Sequence, residues 1–283
     1  MVNWLLEPLT YAFMQRGMLA AVIVGIVCAL VGCFIVLRGI AFLGDALAHS
    51  ILPGLAVGYL VSGSSSAALS IWALGTAVLV ALGISTLSRE ARIRQDTAIG
   101  ILFAGMFALG IALISSIRSY AVDLAHFLFG NILGVTHGDL VVMSVVGAAV
   151  ALAIFIFYKE FLVLSFDPVL AATLRLPSRV LETLLYVLIA VAIVVSLQTV
   201  GVSLVVAMLV TPAAAASLIT KKLRHMMFTA VFIAAGSGIV GLYASFYLNI
   251  ASGAAIVLTC TLVFILIWLK ESWLRTRSAP MAS

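Results

Sequence analysis

A chain of 283 residues that is 65% hydrophobic and only 9% charged has too few polar groups to cover a water-soluble domain, which commits roughly 25% of its residues to charge. A mean hydropathy of +1.31 leaves lipid as the solvent and excludes a soluble globular protein. The net charge of +5 reflects basic loops between membrane spans and requires no nucleic acid partner.

Residues 1–16 contain Glu7, Pro8 and Arg16 without the basic-then-apolar order of a cleavable signal peptide, and read as an N-terminal interfacial segment. Residues 17–270 form one membrane domain. Apolar runs predict spans at about 17–37, 40–62, 67–87, 97–117, 138–158, 178–199, 201–219, 225–247 and 251–270, each near the roughly 20 residues that cross about 30 Å of hydrocarbon. Helices are required, because backbone in lipid must satisfy its own hydrogen bonds and the period-2 alternation of a barrel is absent. The stretch 122–134, VDLAHFLFGNILG, is apolar but short and predicts a half-helix or re-entrant segment. The fold class is all-α: a polytopic protein of eight or nine transmembrane helices, closing with a cytoplasmic tail over 271–283. Cys28, Cys33 and Cys260 fall in apolar runs and lack disulfide or metal spacing, so they read as small core residues.

Orientation follows from the cations. With the N-terminus outside, thirteen of the fifteen basic residues face the cytoplasm, and only Arg16 and Arg118 lie outside, the asymmetry expected of cytoplasmic loops.

Most of the ten acidic residues fall in loops and tails. Glu182 sits one turn into a helix, where the N-terminal dipole favours an acid. Asp45 is the acid placed deepest in a predicted span, within LGDALAHSILPG, and a charge there costs at least about 2.5–3.5 kcal/mol. His49 follows four residues later, on the same helical face. Two readings fit that spacing. Asp45 orients His49, or glues helices together, through a local hydrogen bond; alternatively both side chains ligate a divalent cation whose charge offsets carboxylate desolvation. Pro53 lacks an N–H, which frees the carbonyl of residue 49, and irregular backbone in membranes is tolerated where it lines a cavity. Gly54 and Gly58 form a small-xxx-small pair that lets a second helix approach. Two ligands hold a metal poorly, but pairing of two chains about a two-fold axis brings together two Asp and two His. Such a nitrogen and oxygen set suits Mn²⁺, Fe²⁺ or Zn²⁺ rather than soft Cu⁺, and by itself does not choose among the three.

Four segments in order, RGIAFLGDALAHSILPGLAVGYL (38–60), DTAIGILFAGMFALGI (96–111), FLFGNILGV (127–135) and VVAMLVTPAAAASLI (205–219), resemble the ABC-3 family. These are permease subunits of bacterial ABC importers for manganese, zinc or chelated iron. The resemblance runs from about residue 16 to 270, with Gly-Asp-x-x-x-His as its most specific piece. It implies a homodimer in the bacterial cytoplasmic (inner) membrane, working by alternating access. It also implies two cytoplasmic ATPase subunits, an extracytoplasmic metal-binding lipoprotein, and a fold similar to type II importers such as the vitamin B12 permease. By the same resemblance Asp45 and His49 form a transient metal site in the central pathway, with wording closer to the manganese and iron branch than to the zinc branch. The metal is cargo, and no permanently bound cofactor is expected.

The chain has no G-x-x-x-x-G-K-[ST], so it is not itself an ATP-hydrolysing enzyme. In KEFLVLSFDPVLAATLRLP (159–177), Asp167 is an N-cap and Pro168 suits the first helical position. Leu170, Ala171 and Leu174 then supply an apolar face, read as a coupling helix that docks on the ATPase; an ordinary interfacial loop is the alternative. Pro212 frees the Met208 carbonyl in mid-span and marks a candidate kink or gate. His126 is a candidate gate or docking residue, or simply packs between helices, while His137 and His225 read as solvated. A competing function is an ion-coupled secondary transporter of divalent metals, in which the Asp/His pair carries protons; such a protein needs no coupling helix. An intramembrane metalloprotease lacks its H-E-x-x-H motif here.

Overall fold

The computed structural model describes residues 7–63, 65–116 and 132–278. Among them every regular element is a helix, and nine spans are long and apolar enough to cross a membrane. The first, α1 (Ala12–Arg38), is apolar around its whole circumference and is buried on nearly every side, as expected of a helix at the centre of a bundle. It stops at Gly39, which adopts φ +68°, a backbone region that costs glycine little. The Gly39 N–H bonds the Val36 carbonyl and the Ile40 N–H bonds the Ile35 carbonyl, satisfying carbonyls at the helix end.

The second span, predicted as one helix over 40–62, comes in two pieces: α2 (Phe42–Ser50) and α3 (Leu52–Ser62). Ile51 lies between them, with Pro53 in the first turn of α3, where its missing N–H costs no helical bond. Next come α4 (Ser66–Glu90), α5 (Gln95–Ser115) and α6 (His137–Ile156). Of the short apolar stretch before α6, only the 3₁₀ turn Ile132–Gly134 is described; the predicted re-entrant segment otherwise lies outside the described residues, His126 included. A capping box opens α6: the Asp139 N–H bonds the Thr136 hydroxyl, and the Asp139 carboxylate accepts from the Thr136 N–H at 3.0 Å. Short helices α7 (Tyr158–Phe166) and α8 (Pro168–Thr173) precede α9 (Ser178–Val200), α10 (Val202–Ile219), α11 (Leu223–Leu248) and α12 (Ser252–Ser278). The last runs well past the predicted end at 270, because no proline or glycine interrupts the chain between Gly253 and Pro280.

Helices pack as two groups. In one, α2, α3, α4 and α5 contact each other; in the other, α1 touches α6, α9, α10 and α11, with α12 against α10 and α11, and α9 also packs along α4 and so joins the two. Glycine makes the tightest approaches within each group, as small residues do between membrane helices. Gly54 and Gly58 sit against Trp72 and Thr76 of α4, as the small-xxx-small spacing predicts, and a methyl on Gly110 of α5 would lie 2.6 Å from Leu52 Cβ. In the second group, Gly32 of α1 leaves no room for a side chain beside the Leu209 carbonyl of α10, and Gly241 of α11 backs onto Ile256 of α12. Between the groups the corresponding glycine contact is looser: a methyl on Gly44 would meet Leu209 Cδ2 at 3.5 Å.

Polar side chains join the groups at the basic end. Glu182 of α9 takes Arg89 of α4 at 2.6 Å and Arg38 of α1 at 3.7 Å, and accepts from the Gln95 amide at 2.7 Å. The Arg89 guanidinium also donates to the Arg179 carbonyl, and Arg38 Nε donates to the Ser165 hydroxyl of α7. The sequence places Glu182 at a helix start for its dipole; the structure gives it charged partners from two other helices. With the Glu182 side chain 18% exposed and that of Arg38 7%, removing the acid leaves two guanidinium groups without their carboxylate. Breaking such a buried pair costs about 3–5 kcal/mol. Glu182→Ala is therefore expected to lower the melting temperature of the detergent-solubilised protein markedly, and an unchanged melt would contradict the structural weight given to this cluster.

Candidate metal site

Asp45 lies in the first turn of α2 and His49 in its last, so the helix N-terminus adds its own stabilisation to the carboxylate. His49 Nε2 is 3.5 Å from Asp45 Oδ1, with side-chain exposures of 26% and 39%. That separation is at the long limit of a hydrogen bond, so the pair is near-contacting rather than tightly bonded. The acid is not enclosed in the core: by helix periodicity Phe42, Asp45, Ala46 and His49 share one face, and in the single chain that face is partly open.

Aromatic rings from α5 wall the imidazole. His49 meets Phe107 at a centroid distance of 5.7 Å and 83°, and Phe103 at 6.3 Å and 63°. Phe103 stacks on Phe107 at 5.6 Å and takes Phe42 edge-on at 5.4 Å. His49 Nδ1 is buried in this setting with no hydrogen-bond partner. An unpartnered imidazole nitrogen is costly unless it finds a ligand. Among the described residues, no third His, Cys, Asp or Glu joins the pair within one chain.

The break after His49 takes a form the sequence did not specify. The helix stops at Ile51, whose N–H turns back toward the His49 carbonyl. Pro53 is buried and held by α5, where a methyl on Gly110 would meet Pro53 Cδ at 3.2 Å. Pro212 is also buried, inside an α10 that continues as a helix to Ile219. This helix touches α2 through Leu209 and Gly44, about 100° around the helix from Asp45.

The predicted docking segment forms α8, with Asp167 Oδ1 accepting from the Leu170 N–H at 2.9 Å and Pro168 in its first turn. Leu170 and Leu174, four residues apart, are 43% and 56% exposed. Ala171 departs from the expectation: it is fully buried and turned into the protein, because it lies about 100° around the helix from Leu170. Phe166 and Val169, which the sequence reading passed over, complete the exposed apolar surface at 61% and 76%. Their signal was present in the run FDPVL, where apolar residues flank the cap. The Phe103–Phe107 wall was equally visible as an i,i+4 aromatic pair within LFAGMF, but nothing in the sequence said which helix it faces.

The model of the ABC 3 transport family matches residues 10–271. The manganese transport system membrane protein MntC of Halalkalibacterium halodurans is 44% identical over 260 residues, spanning 92% of this chain and 88% of that protein. The "Probable iron transport system membrane protein" of Haemophilus influenzae is 39% identical over 266 residues, spanning 94% and 96%. Among solved structures, PsaBC from Streptococcus pneumoniae in complex with Fab superposes with a TM-score of 0.82 at 37% identity, over 98% of this chain and 99% of that one. Together with the nine membrane-spanning helices, these matches carry one conclusion: the chain belongs to the ABC 3 transport family and is a multi-pass permease, not itself an enzyme, of an ABC transporter in the bacterial inner membrane.

Proposed function

We propose that this permease imports a divalent transition metal, manganese before iron or zinc, and that Asp45 and His49 hold the ion in transit. The observation that carries the reading is the pair itself: a carboxylate and an imidazole whose Nε2 lies 3.5 Å from it share a partly open face beside a helix break. The names of the relatives, manganese and iron transport proteins, support the choice of cargo. One chain offers two side-chain ligands, so the site is completed by a second copy across a two-fold axis, giving two carboxylates and two imidazoles. Manganese lies at the weak end of the divalent affinity order. A mixed oxygen and nitrogen site therefore grips it loosely, as a pathway that must also release its ion requires.

In this reading the homodimer receives metal from an extracytoplasmic lipoprotein and is driven by two cytoplasmic ATPase subunits, each engaging the exposed side of α8. The surface of Phe166, Val169, Leu170 and Leu174 favours an ATP-driven importer over an ion-coupled secondary transporter, which has no use for such a docking helix.

Two experiments test this. In vesicles holding the permease and its ATPase, Asp45→Ala and His49→Ala are each expected to abolish Mn²⁺ uptake while leaving the assembled complex intact; normal uptake by both variants removes the site. Leu174→Glu places a charge in the docking surface, and losing a contact of this kind costs about 2 kcal/mol, or roughly 30-fold in ATPase affinity. Uptake and metal-stimulated ATP hydrolysis should then fall together while the permease melts normally. Uptake that persists in vesicles without any ATPase would instead favour the secondary transporter.

A further inference from the structure

A groove of about 570 Å³ opens between α1, α6, the start of α7 and α11. Its walls are Ile26 and Leu30 of α1, Phe155 of α6, and Phe228 and Val231 of α11. Phe155 and Phe228 are more than half exposed. At the end where α6 finishes and α11 begins, the lining turns polar with Tyr158 and Arg224. Arg38 and Arg89 mark this end of the bundle as the basic one. Lys221 and Lys222 immediately precede α11, and Lys159 follows Tyr158; these three and Arg224 are all exposed. Among the described residues none of the four forms an ion pair. The one acid in these two stretches, Glu160, has a carboxylate oxygen buried.

We infer that this groove is a binding site for one anionic phospholipid, its acyl chain along Phe155, Phe228 and Val231 and its phosphate at Arg224. The groove runs from Arg224 to Val231, about 10 Å of helix, and its volume is that of a small-molecule site. Its walls are apolar where a chain would lie and cationic only where a headgroup would sit. A basic pocket between membrane helices at the leaflet surface is the recurring form of anionic headgroup recognition. Arginine adds a planar fork that matches phosphate oxygens, and Tyr158 supplies the amphipathic ring favoured at headgroup depth. A second copy of the chain is a poor occupant: two-fold pairing through this face would bring unpaired cations against their own kind.

The test is lipid retention by the full-length permease extracted from membranes of mixed phosphatidylglycerol and phosphatidylcholine, read by native mass spectrometry. Wild type is expected to keep about one phosphatidylglycerol per chain in preference to phosphatidylcholine. Retention should weaken about fivefold for each cation removed in Arg224→Gln and in the triple variant Lys221→Gln, Lys222→Gln, Arg224→Gln. A second variant, Ala151→Phe, fills the groove and leaves the charges untouched; it should lose the lipid as well. Three outcomes overturn the inference: equal retention of both lipids by wild type, retention unchanged in all variants, or efficient disulfide cross-linking of two chains through Phe228→Cys. None depends on Asp45 or His49, so loss of the metal site would leave this inference standing.

Discussion

Backbone hydrogen bonding in the second span is interrupted between His49 and Leu55, and the bundle is arranged so that the interruption is held rather than healed. Ile51 turns back on His49 while the Leu55 N–H resumes the ladder at the Ile51 carbonyl. Pro53 forbids a continuous helix, Gly110 lets α5 press against the break, and Gly54 lets α4 close from the other side. Peptide groups in hydrocarbon cannot turn to water for partners, so a break of this kind survives only with neighbours fitted against it. Other properties of the site follow from that constraint: α2 is short, Asp45 sits in its first turn, and His49 sits in its last, two residues before the break at Ile51.

The aromatic wall converts that geometry into chemistry. Phe103 and Phe107 occupy the sides of the imidazole and offer its buried Nδ1 nothing to bond, while Nε2 lies 3.5 Å from the Asp45 carboxylate. A histidine bonded on both nitrogens would be a structural fixture. One held by ring edges is confined to one orientation, which the proposed role in holding an ion would require.

Much of this was written in the primary structure. Span positions, the i,i+4 Asp/His pair, the small-residue face of Gly54 and Gly58, and the Asp167 cap all follow from local rules that need only neighbours in sequence. What stayed hidden depends on partners far along the chain. Glu182 looked like a helix-start acid until Arg89 and Arg38 arrived from two other helices. Ala171 looked like part of an apolar face, because a six-residue helix carries too little pattern to say which side turns inward. The two-piece second span was half legible: Pro53 announced a disturbance, but its placement at Ile51 was decided by packing against α4 and α5.

The distribution of close glycine contacts has a mechanical meaning. Where a methyl would come nearer than 3.4 Å to another helix, the two helices belong to the same group; the one glycine facing across, Gly44, stands off at ordinary van der Waals distance. Each group is thus interlocked by such close contacts, whereas at the boundary α9 packs along α4 through side chains and carries the Ser85–Thr183 hydroxyl pair and the Glu182 cluster. Fastenings of that sort can trade partners with water or with one another as surfaces slip. The two sets of helices are thus stiff within themselves and joined along α4 and α9 by side chains, with the polar links gathered at the basic end where α9 begins.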